Sequence, residues 1–318
     1  MMNTTKLRLL YLIDLFKQDT NETNSVTMPD IQDYLYSKGI VAERKSLYED
    51  IDTLKTWGLD IIYNRPQGYY LASTDFDIIE IKLLVDAIAS SDFLTKKKTS
   101  ELQKKLLNCI NHYDQESIKH QLFQNPNKFK NENIFYSLDT IQNAINKNSS
   151  IQFMYFDITI DKQKKYRKNS TPYHLIPYAL LYENQRYYCI GYSTKYNNFS
   201  HYRVDKMDQV ILQDDFNEKK NFNLPKYKTT NFNMTLGQIE NITLEFDLSL
   251  TNIVFDTFGQ DVFIKKVSPS TFTINLSSTV STNFIGWLLQ FGKKVKVISP
   301  SSLIEDIKHL IDEVQEVY

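Results

Sequence analysis

The stretch "ERKSLYEDIDTLKTWGLDI", residues 43–61, decides how the N-terminal part of this chain folds. Apolar side chains recur in it at helical spacing and predict one buried face, formed by Leu47, Ile51 and Leu54. Two cations, Arg44 and Lys45, stand in the first turn on another side, and Gly58 suits the left-handed residue that ends many helices. The stretch therefore predicts an amphipathic helix whose exposed N-terminus is basic.

The flanking segments predict the neighbours of this helix. "TTKLRLLYLIDLFKQ" (residues 4–18) has a helical apolar stripe, and "TMPDIQDYLYSKG" (residues 27–39) predicts a second helix with Thr27 as its N-cap. After the third helix, "LDIIYNRPQGYYLA" (residues 59–72) predicts two short strands around a Pro- and Gly-containing turn. Three helices followed by a hairpin predict a winged helix-turn-helix domain over residues 1–74.

In such a domain the third helix lies in the major groove, and the residues near its N-terminus reach the base edges. Arginine and lysine pair with guanine acceptors, and Arg65 at the tip of the predicted wing is placed for a backbone or minor-groove contact. The candidate DNA-contacting residues are Thr27, Arg44, Lys45, Ser46, Tyr48 and Arg65. The alternative is that Arg44 and Lys45 form an ordinary solvated helix face, as most charged helix surfaces do.

The charge of the N-terminal segment sets a condition on DNA binding. Residues 1–75 contain eight cations and eleven acids, a net charge of −3. Phosphate neutralisation supplies most non-specific affinity for DNA, so we expect one such domain to bind weakly. A homodimer on an operator with two half-sites doubles the contacts and restores affinity.

The bulk composition narrows the class of protein. A chain of 318 residues is long for one core and predicts several domains. No apolar run is long enough to cross a bilayer and no signal segment begins the chain, so we expect a soluble, cytoplasmic protein without a membrane partner. Cys109 and Cys189 each lie in an apolar pattern far apart, which predicts two buried thiols and neither a disulfide nor a metal site.

The order of motifs resembles that of bacterial WYL-domain transcriptional regulators. The stretch "PYALLYENQRYYCIGYSTKYNNFSHYRVDKM" (residues 177–207) is similar to the family's WYL core. Tyr187 and Cys189 stand where the family typically has Trp and Leu, and Lys206 replaces an arginine. A lysine cannot form the planar bidentate fork of arginine, so this departure weakens close recognition of a phosphate.

The resemblance implies a multidomain α+β protein. Its implied parts are the winged helix-turn-helix domain (1–74), a helical connector (75–130), a WYL domain with an Sm-like β-barrel (131–222) and a C-terminal α/β sandwich that helps build a dimer (223–318). Helical stripes support the connector, and "QNPNKFKNEN" (124–133) reads as a linker. In the last helix the apolar stripe, which we expect to be first a core and second an interface, consists of Leu303, Ile307, Leu310, Ile311 and Val314.

A ligand site is expected in the WYL segment. Side chains alternate along a strand, so "SHYRVDKM" predicts that Arg203 faces away from a core-facing Tyr202 and is available to an anion. The candidate ligand-binding residues are Tyr155, His174, Tyr187, Tyr188, His201, Arg203 and Lys206. This mixture suits a nucleotide or a nucleic-acid fragment. The tyrosines have a competing role in barrel packing, and His174 has one as a capping residue. The basic run "DKQKKYRKNS" (161–170) is expected to be a solvated hairpin tip, with nucleic-acid contact as the alternative.

Two functions are compatible with these patterns. The first is a homodimeric DNA-binding transcriptional regulator whose activity responds to a nucleotide or nucleic-acid ligand. The second is a non-transcriptional accessory module that binds RNA or single-stranded DNA through the WYL barrel. No catalytic triad, paired-carboxylate motif or phosphate-binding glycine loop occurs, so we expect neither an enzyme nor a bound cofactor or metal.

Overall fold

The structure is a computed structural model that describes residues 4–122, 125, 126, 128, 133–235 and 237–318. The chain forms two compact units, residues 1–131 and 132–318. Most of the predicted linker at 124–133 lies outside the described residues. The finer division into four domains stays a prediction.

The first unit begins with three helices and a hairpin, in the predicted order. These elements are α1 (Thr4–Asp19), α2 (Met28–Ser37), α3 (Arg44–Trp57), β1 (Ile61–Asn64) and β2 (Gly68–Leu71). Thr27 caps α2 as predicted, because its hydroxyl accepts from the Asp30 backbone N–H while the Asp30 carboxylate accepts from the Thr27 N–H at 2.7 Å. Gly58 ends α3 in the left-handed conformation with φ +114°.

One apolar core holds this part together. Its fully buried members include Leu12, Phe16, Ile31, Leu35 and Leu47, with Ile51 and Leu54 almost as buried. The predicted inner face of α3 is therefore confirmed. Gly68 begins β2 with φ +119°, and a Cβ there would lie 2.3 Å from the Val26 carbonyl oxygen. Only glycine allows Val26 to bridge to Tyr69 and attach the hairpin to the helices.

Three more helices complete the first unit: α4 (Ile78–Ser90), α5 (Lys96–Leu107) and α6 (His112–Lys119). They confirm the helical character predicted for this segment, but the buried face of α5 is Thr99, Gln103 and Leu107. The expected burial of Cys109 is wrong, since this thiol is exposed. Because α5 ends at Leu107, Cys109 lies beyond the helical repeat from which its burial was inferred.

The second unit begins with α7 (Ile134–Lys147) and a curled antiparallel sheet. The strands are β3 (Ile151–Ile158), β4 (Lys164–Tyr166), β5 (Tyr173–Glu183), β6 (Arg186–Ser193), β7 (Asn198–Arg203) and β8 (Met207–Leu212). Their order is β4-β3-β5-β6-β7, and β8 returns to pair with β3. Within the described part of the chain β7 and β8 do not pair with each other, so the expected β-barrel takes the form of a curled half-barrel.

The C-terminal part is a second sheet covered by helices. Its elements are α8 (Leu224–Thr230), β9 (Gln238–Asp247), α9 (Thr251–Phe258), β10 (Ile264–Lys266), β11 (Thr271–Val280), α10 (Thr282–Leu289), β12 (Val295–Ser299) and α11 (Ser301–Gln315). The strand order is β10-β11-β9-β12, all antiparallel. One core joins residues of β9 and β11 to apolar residues of α9, α10 and α11.

The stripe of α11 divides between core and surface. Leu303 is fully buried and Ile307 and Leu310 pack against the core, whereas Ile311 and Val314 are exposed. The expectation of a core stripe holds only for its first three members. Among the described helices, none combines the length and the apolar character that a bilayer span requires.

Candidate functional site

The first turn of α3 presents its polar side chains to solvent. Arg44 and Lys45 are exposed, Ser46 is half-buried, and Tyr48 is 40% exposed. Arg44 Nε donates to Tyr48 Oη at 3.2 Å, and the guanidinium lies 5.8 Å from the centre of that ring. Because Leu47 occupies the core, these four side chains share the outer surface. The predicted basic N-terminus of the helix is therefore on the surface.

An acid of α3 is withdrawn from this surface. Asp50 is buried, and Arg8 of α1 donates to both of its carboxylate oxygens, with Nη2 at 3.0 Å from Oδ1. The pair ties α3 to α1 and adds no net charge to the outer face. Glu49 and Asp52 remain exposed on α3, so the surface beyond the first turn is of mixed sign.

The β1–β2 hairpin carries Arg65, the cation of the predicted wing. Arg65 is exposed in the turn between β1 and β2, and the rings of Tyr63 and Tyr69 pack with centroids 4.8 Å apart. Burial raises the pKa of Tyr69, and the neighbouring Tyr48 hydroxyl of α3 adds to this rise. Thr27, by contrast, uses its hydroxyl to cap α2 with Asp30.

In the second unit, two cations converge on one carboxylate. Arg167 donates to Asp157 through Nε at 2.6 Å and Nη2 at 3.0 Å, and Lys206 Nζ donates to the same group at 2.8 Å. These bonds, with that of Arg167 foremost, hold the pKa of Asp157 well below its usual range. The carboxylate stays ionised and positions both cations.

Aromatic rings form the floor beneath these cations. The rings of Tyr155, Tyr173 and Tyr202 pack mutually, with centroid separations of 5.3 Å for Tyr155–Tyr202 and 5.5 Å for Tyr173–Tyr202. The Arg167 guanidinium lies 5.3 Å from the Tyr155 ring, and Lys168 Nζ lies 3.7 Å from the Tyr173 ring. Burial raises the pKa of Tyr155 to about 12. We call this set the basic–aromatic cluster: Tyr155, Asp157, Arg167, Lys168, Tyr173, Tyr202 and Lys206.

Arg203 borders the basic–aromatic cluster, with its guanidinium already paired. Its Nε and Nη2 donate to the Asp205 carboxylate at 3.0 and 2.6 Å, and its backbone N–H donates to Tyr155 Oη at 3.3 Å. The expectation of a freely available Arg203 is therefore wrong for the edge that Asp205 occupies. An anion can approach only the end formed by Nη1 and the second hydrogen of Nη2.

The other candidate ligand residues lie outside the basic–aromatic cluster. His201 is buried, with Nδ1 2.9 Å from Tyr227 Oη and Nε2 2.7 Å from the Met234 carbonyl oxygen, and burial lowers its pKa. Tyr188 lies opposite Arg203 in the β6–β7 ladder but is buried in the apolar cluster that contains Met234. His174 is exposed, next to but pointing opposite Tyr173 because side chains alternate along β5. Tyr187 packs against Tyr182 at 4.9 Å near the end of the β5–β6 hairpin.

Sequence reasoning missed Arg167, Lys168 and Asp157. The first two belong to the run expected to be a solvated hairpin tip, but β4 pairs with the end of β3 and brings the run beside Asp157. Lys164 of the same run pairs with Asp208 at 2.7 Å. The sequence does contain one indication of this site. The basic segment "KKYR" can pair as a strand with "YFDI", which sets Asp157 opposite Lys165. The spacing of residues within the basic run does not reveal this pairing.

Comparisons with known proteins agree with the resemblance noted above. Residues 137–212 match the family model of the WYL domain. The chain is 22% identical over 288 residues to an uncharacterized HTH-type transcriptional regulator of Bacillus subtilis (strain 168), YobV, covering 86% of this chain and 89% of that protein. Proteasome accessory factor B/C of Arthrobacter aurescens matches with a TM-score of 0.32 and 15% identity, over 99% of this chain and 48% of that one. This chain thus carries a WYL domain and spans about half of the latter protein.

Proposed function

We propose that this protein is a DNA-binding transcriptional regulator, with α3 as its recognition helix and β1–β2 as its wing. The observation that carries the proposal is the exposed first turn of α3, where Arg44, Lys45 and Tyr48 lie together. The similarity to a protein named as an HTH-type transcriptional regulator supports the same function. Arginine and lysine at this position of a recognition helix reach base edges and phosphates.

The regulator acts as a homodimer in this proposal. The net charge of −3 over residues 1–75 keeps the affinity of a single N-terminal domain low. Two linked domains on a pseudo-palindromic site raise the effective concentration of the second contact. The exposed Ile311 and Val314 of α11 are apolar surface available to such an assembly.

An anionic ligand at the basic–aromatic cluster modulates DNA binding in this proposal. Arg167, Lys168 and Lys206 supply positive charge above the Tyr155 and Tyr173 rings, and a base can stack on the planar guanidinium of Arg167. Arg203 adds hydrogen-bond donors at the end of its guanidinium that Asp205 does not occupy. A nucleotide or the end of a single strand fits this combination, and it regulates only if it prefers one arrangement of the protein over another.

Selection from a mixed pool of random duplexes and random single strands, with the full chain at fixed salt, tests the DNA-binding part. We expect recovery of one pseudo-palindromic sequence whose protection pattern covers two half-sites. Recovery of no sequence above background contradicts it. Recovery of single strands in place of duplexes favours the accessory module that binds nucleic acid through the WYL domain.

Calorimetry with a short single strand and with a nucleotide panel tests the ligand part. Arg167→Ala should weaken binding about tenfold, the loss of one charge-assisted contact. Lys164→Ala is the matched control, since Lys164 lies in the same run but pairs with Asp208. Unchanged binding by Arg167→Ala, or an equal loss in both variants, contradicts the assignment.

A further inference from the structure

A second cavity lies in the same unit but shares no residue with the basic–aromatic cluster. It has a volume of about 730 Å³ and opens between β7, α8 and the start of β9. Its lining residues are Asn198, Phe199, Ser200, Asn221, Phe222, Asn223, Lys226, Tyr227, Thr230, Asn231, Gly237 and Ile239. Ligand sites of small organic molecules typically occupy 300–1,000 Å³, so this cleft has the size of one.

The walls of the cleft are aromatic. The Phe199 and Phe222 rings lie with centroids 4.7 Å apart, and Phe222 lies 5.5 Å from Tyr227. Phe222 and Tyr227 also pack against the buried cluster of Tyr188, Ile190 and Met234. Packing therefore fixes the positions of these rings along the cleft, and an aromatic wall favours a flat aromatic guest.

The polar groups of the cleft select the charge of the guest. Lys226 is the one charged residue among those that line the cleft in the described part of the chain, and no described carboxylate pairs with it. Two of the asparagine side chains that line the cleft hydrogen-bond to the backbone of α8. Asn223 Oδ1 accepts from the Lys226 N–H, and Asn231 Nδ2 donates to the Tyr227 carbonyl oxygen. A ligand thus meets an apolar wall and a single cation.

We propose that this cleft binds a planar aromatic compound that carries one carboxylate. The rings of Phe199, Phe222 and Tyr227 bury its aromatic part, and the Lys226 ammonium pairs with its carboxylate. A hydrogen bond also connects this cleft to strand β7. Tyr227 Oη bonds His201 Nδ1 at 2.9 Å, and His201 stands two residues before Arg203 on β7.

Indole-3-acetate and its uncharged amide, indole-3-acetamide, are the probes for this proposal. Their binding to the full chain is measured by calorimetry and by saturation-transfer NMR, in the absence of DNA, so the result is independent of the regulator proposal. We expect the acid to bind about three- to tenfold more tightly than the amide, from one partly exposed charge pair. Lys226→Gln should abolish this difference.

Two further variants complete the test. Lys228→Gln is the matched control, because Lys228 lies on the same helix but pairs with Glu183 at 2.8 Å outside the lining, and it should bind both probes as the wild type does. Phe222→Ala removes one aromatic wall of the cleft and should weaken both probes at least about tenfold while its thermal melting stays cooperative. The proposal is overturned if neither probe binds at millimolar concentration, if Lys226→Gln keeps the preference for the acid, or if a folded Phe222→Ala binds unchanged.

Discussion

At the scale of single residues, the largely buried pair of Arg8 and Asp50 links α1 to α3. Side chains of the two are 16% and 9% exposed. Breaking a buried pair costs more than the pair contributes, because it leaves an uncompensated charge. We therefore predict that Arg8→Met lowers the free energy of unfolding by about 2–3 kcal/mol.

Urea unfolding of the full chain measures this effect. Lys17→Met is the control, since Lys17 lies 3.9 Å from an exposed Asp75 and surface pairs contribute little. The double variant Arg8→Met, Asp50→Leu should recover part of the loss by removing the stranded carboxylate. Equal losses for Arg8→Met and Lys17→Met would contradict the assigned role.

His201 predicts how stability depends on pH. Burial lowers its pKa in the folded protein below the ordinary value of 6.5, so the unfolded chain takes up the proton first as pH falls. The contribution of the neutral histidine is complete above pH 6.5 and is lost as pH falls from there toward the folded-state pKa. The loss is at most about 1.4 kcal/mol per pH unit.

The comparison of two variants isolates this effect. His201→Gln should show a flatter decline of unfolding free energy between pH 7.5 and 5.5 than the wild type, although it is less stable at pH 7.5. His174→Gln, at an exposed position, should keep the wild-type slope. If His201→Gln declines as steeply as the wild type, His201 does not set the pH dependence.

At the scale of elements, the hairpin β1–β2 depends on one glycine. Gly68 has φ +119° and a Cβ there would meet the Val26 carbonyl oxygen at 2.3 Å. We predict that Gly68→Ala lowers the unfolding free energy by about 1–3 kcal/mol, from backbone strain and the collision. Gly58→Ala, with φ +114° and open space around it, should cost about 1 kcal/mol. Denaturant unfolding compares them, and a smaller loss at Gly68 would contradict the steric argument.

Sequence reasoning is most accurate for helices whose apolar side chains keep the helical spacing over their whole length. The stripes of α1, α2 and α3 and the cap at Thr27 were identified correctly because local chemistry determines them. The buried face of α5 was not anticipated, since it includes the polar side chains of Thr99 and Gln103. The order of residues along one helix does not show which of its polar side chains pack against a neighbouring helix.

The candidate ligand site shows the same limit. Arg203 was placed correctly on its strand, but its pairing with Asp205, two residues on, follows from the tight turn after β7. Arg167 and Asp157 are ten residues apart and meet only because β4 folds back on β3. These contacts depend on the register in which the strands pair. The spacing of residues along the sequence does not reveal that register.

At the scale of the whole molecule, we predict a homodimer. The acidic N-terminal segment needs a second copy to hold DNA, and α11 exposes Ile311 and Val314. Val314→Glu should shift the sedimentation equilibrium toward monomer at least tenfold, with His309→Glu, about 140° away around the helix, as control. A wild-type protein that is monomeric with and without DNA would contradict this prediction.

The central claim is that the first turn of α3 recognises DNA, and one titration tests it most directly. Fluorescence anisotropy compares the wild type, Arg44→Ala with Lys45→Ala, and the control Lys55→Ala on the selected duplex at fixed salt. Each base or phosphate contact of this kind contributes about 1–3 kcal/mol. The account predicts that the double variant binds at least about thirtyfold more weakly, while Lys55→Ala, an exposed cation in the last turn of the same helix, changes affinity less than about threefold. A folded double variant that binds as tightly as the wild type would contradict the account and leave α3 an ordinary core helix.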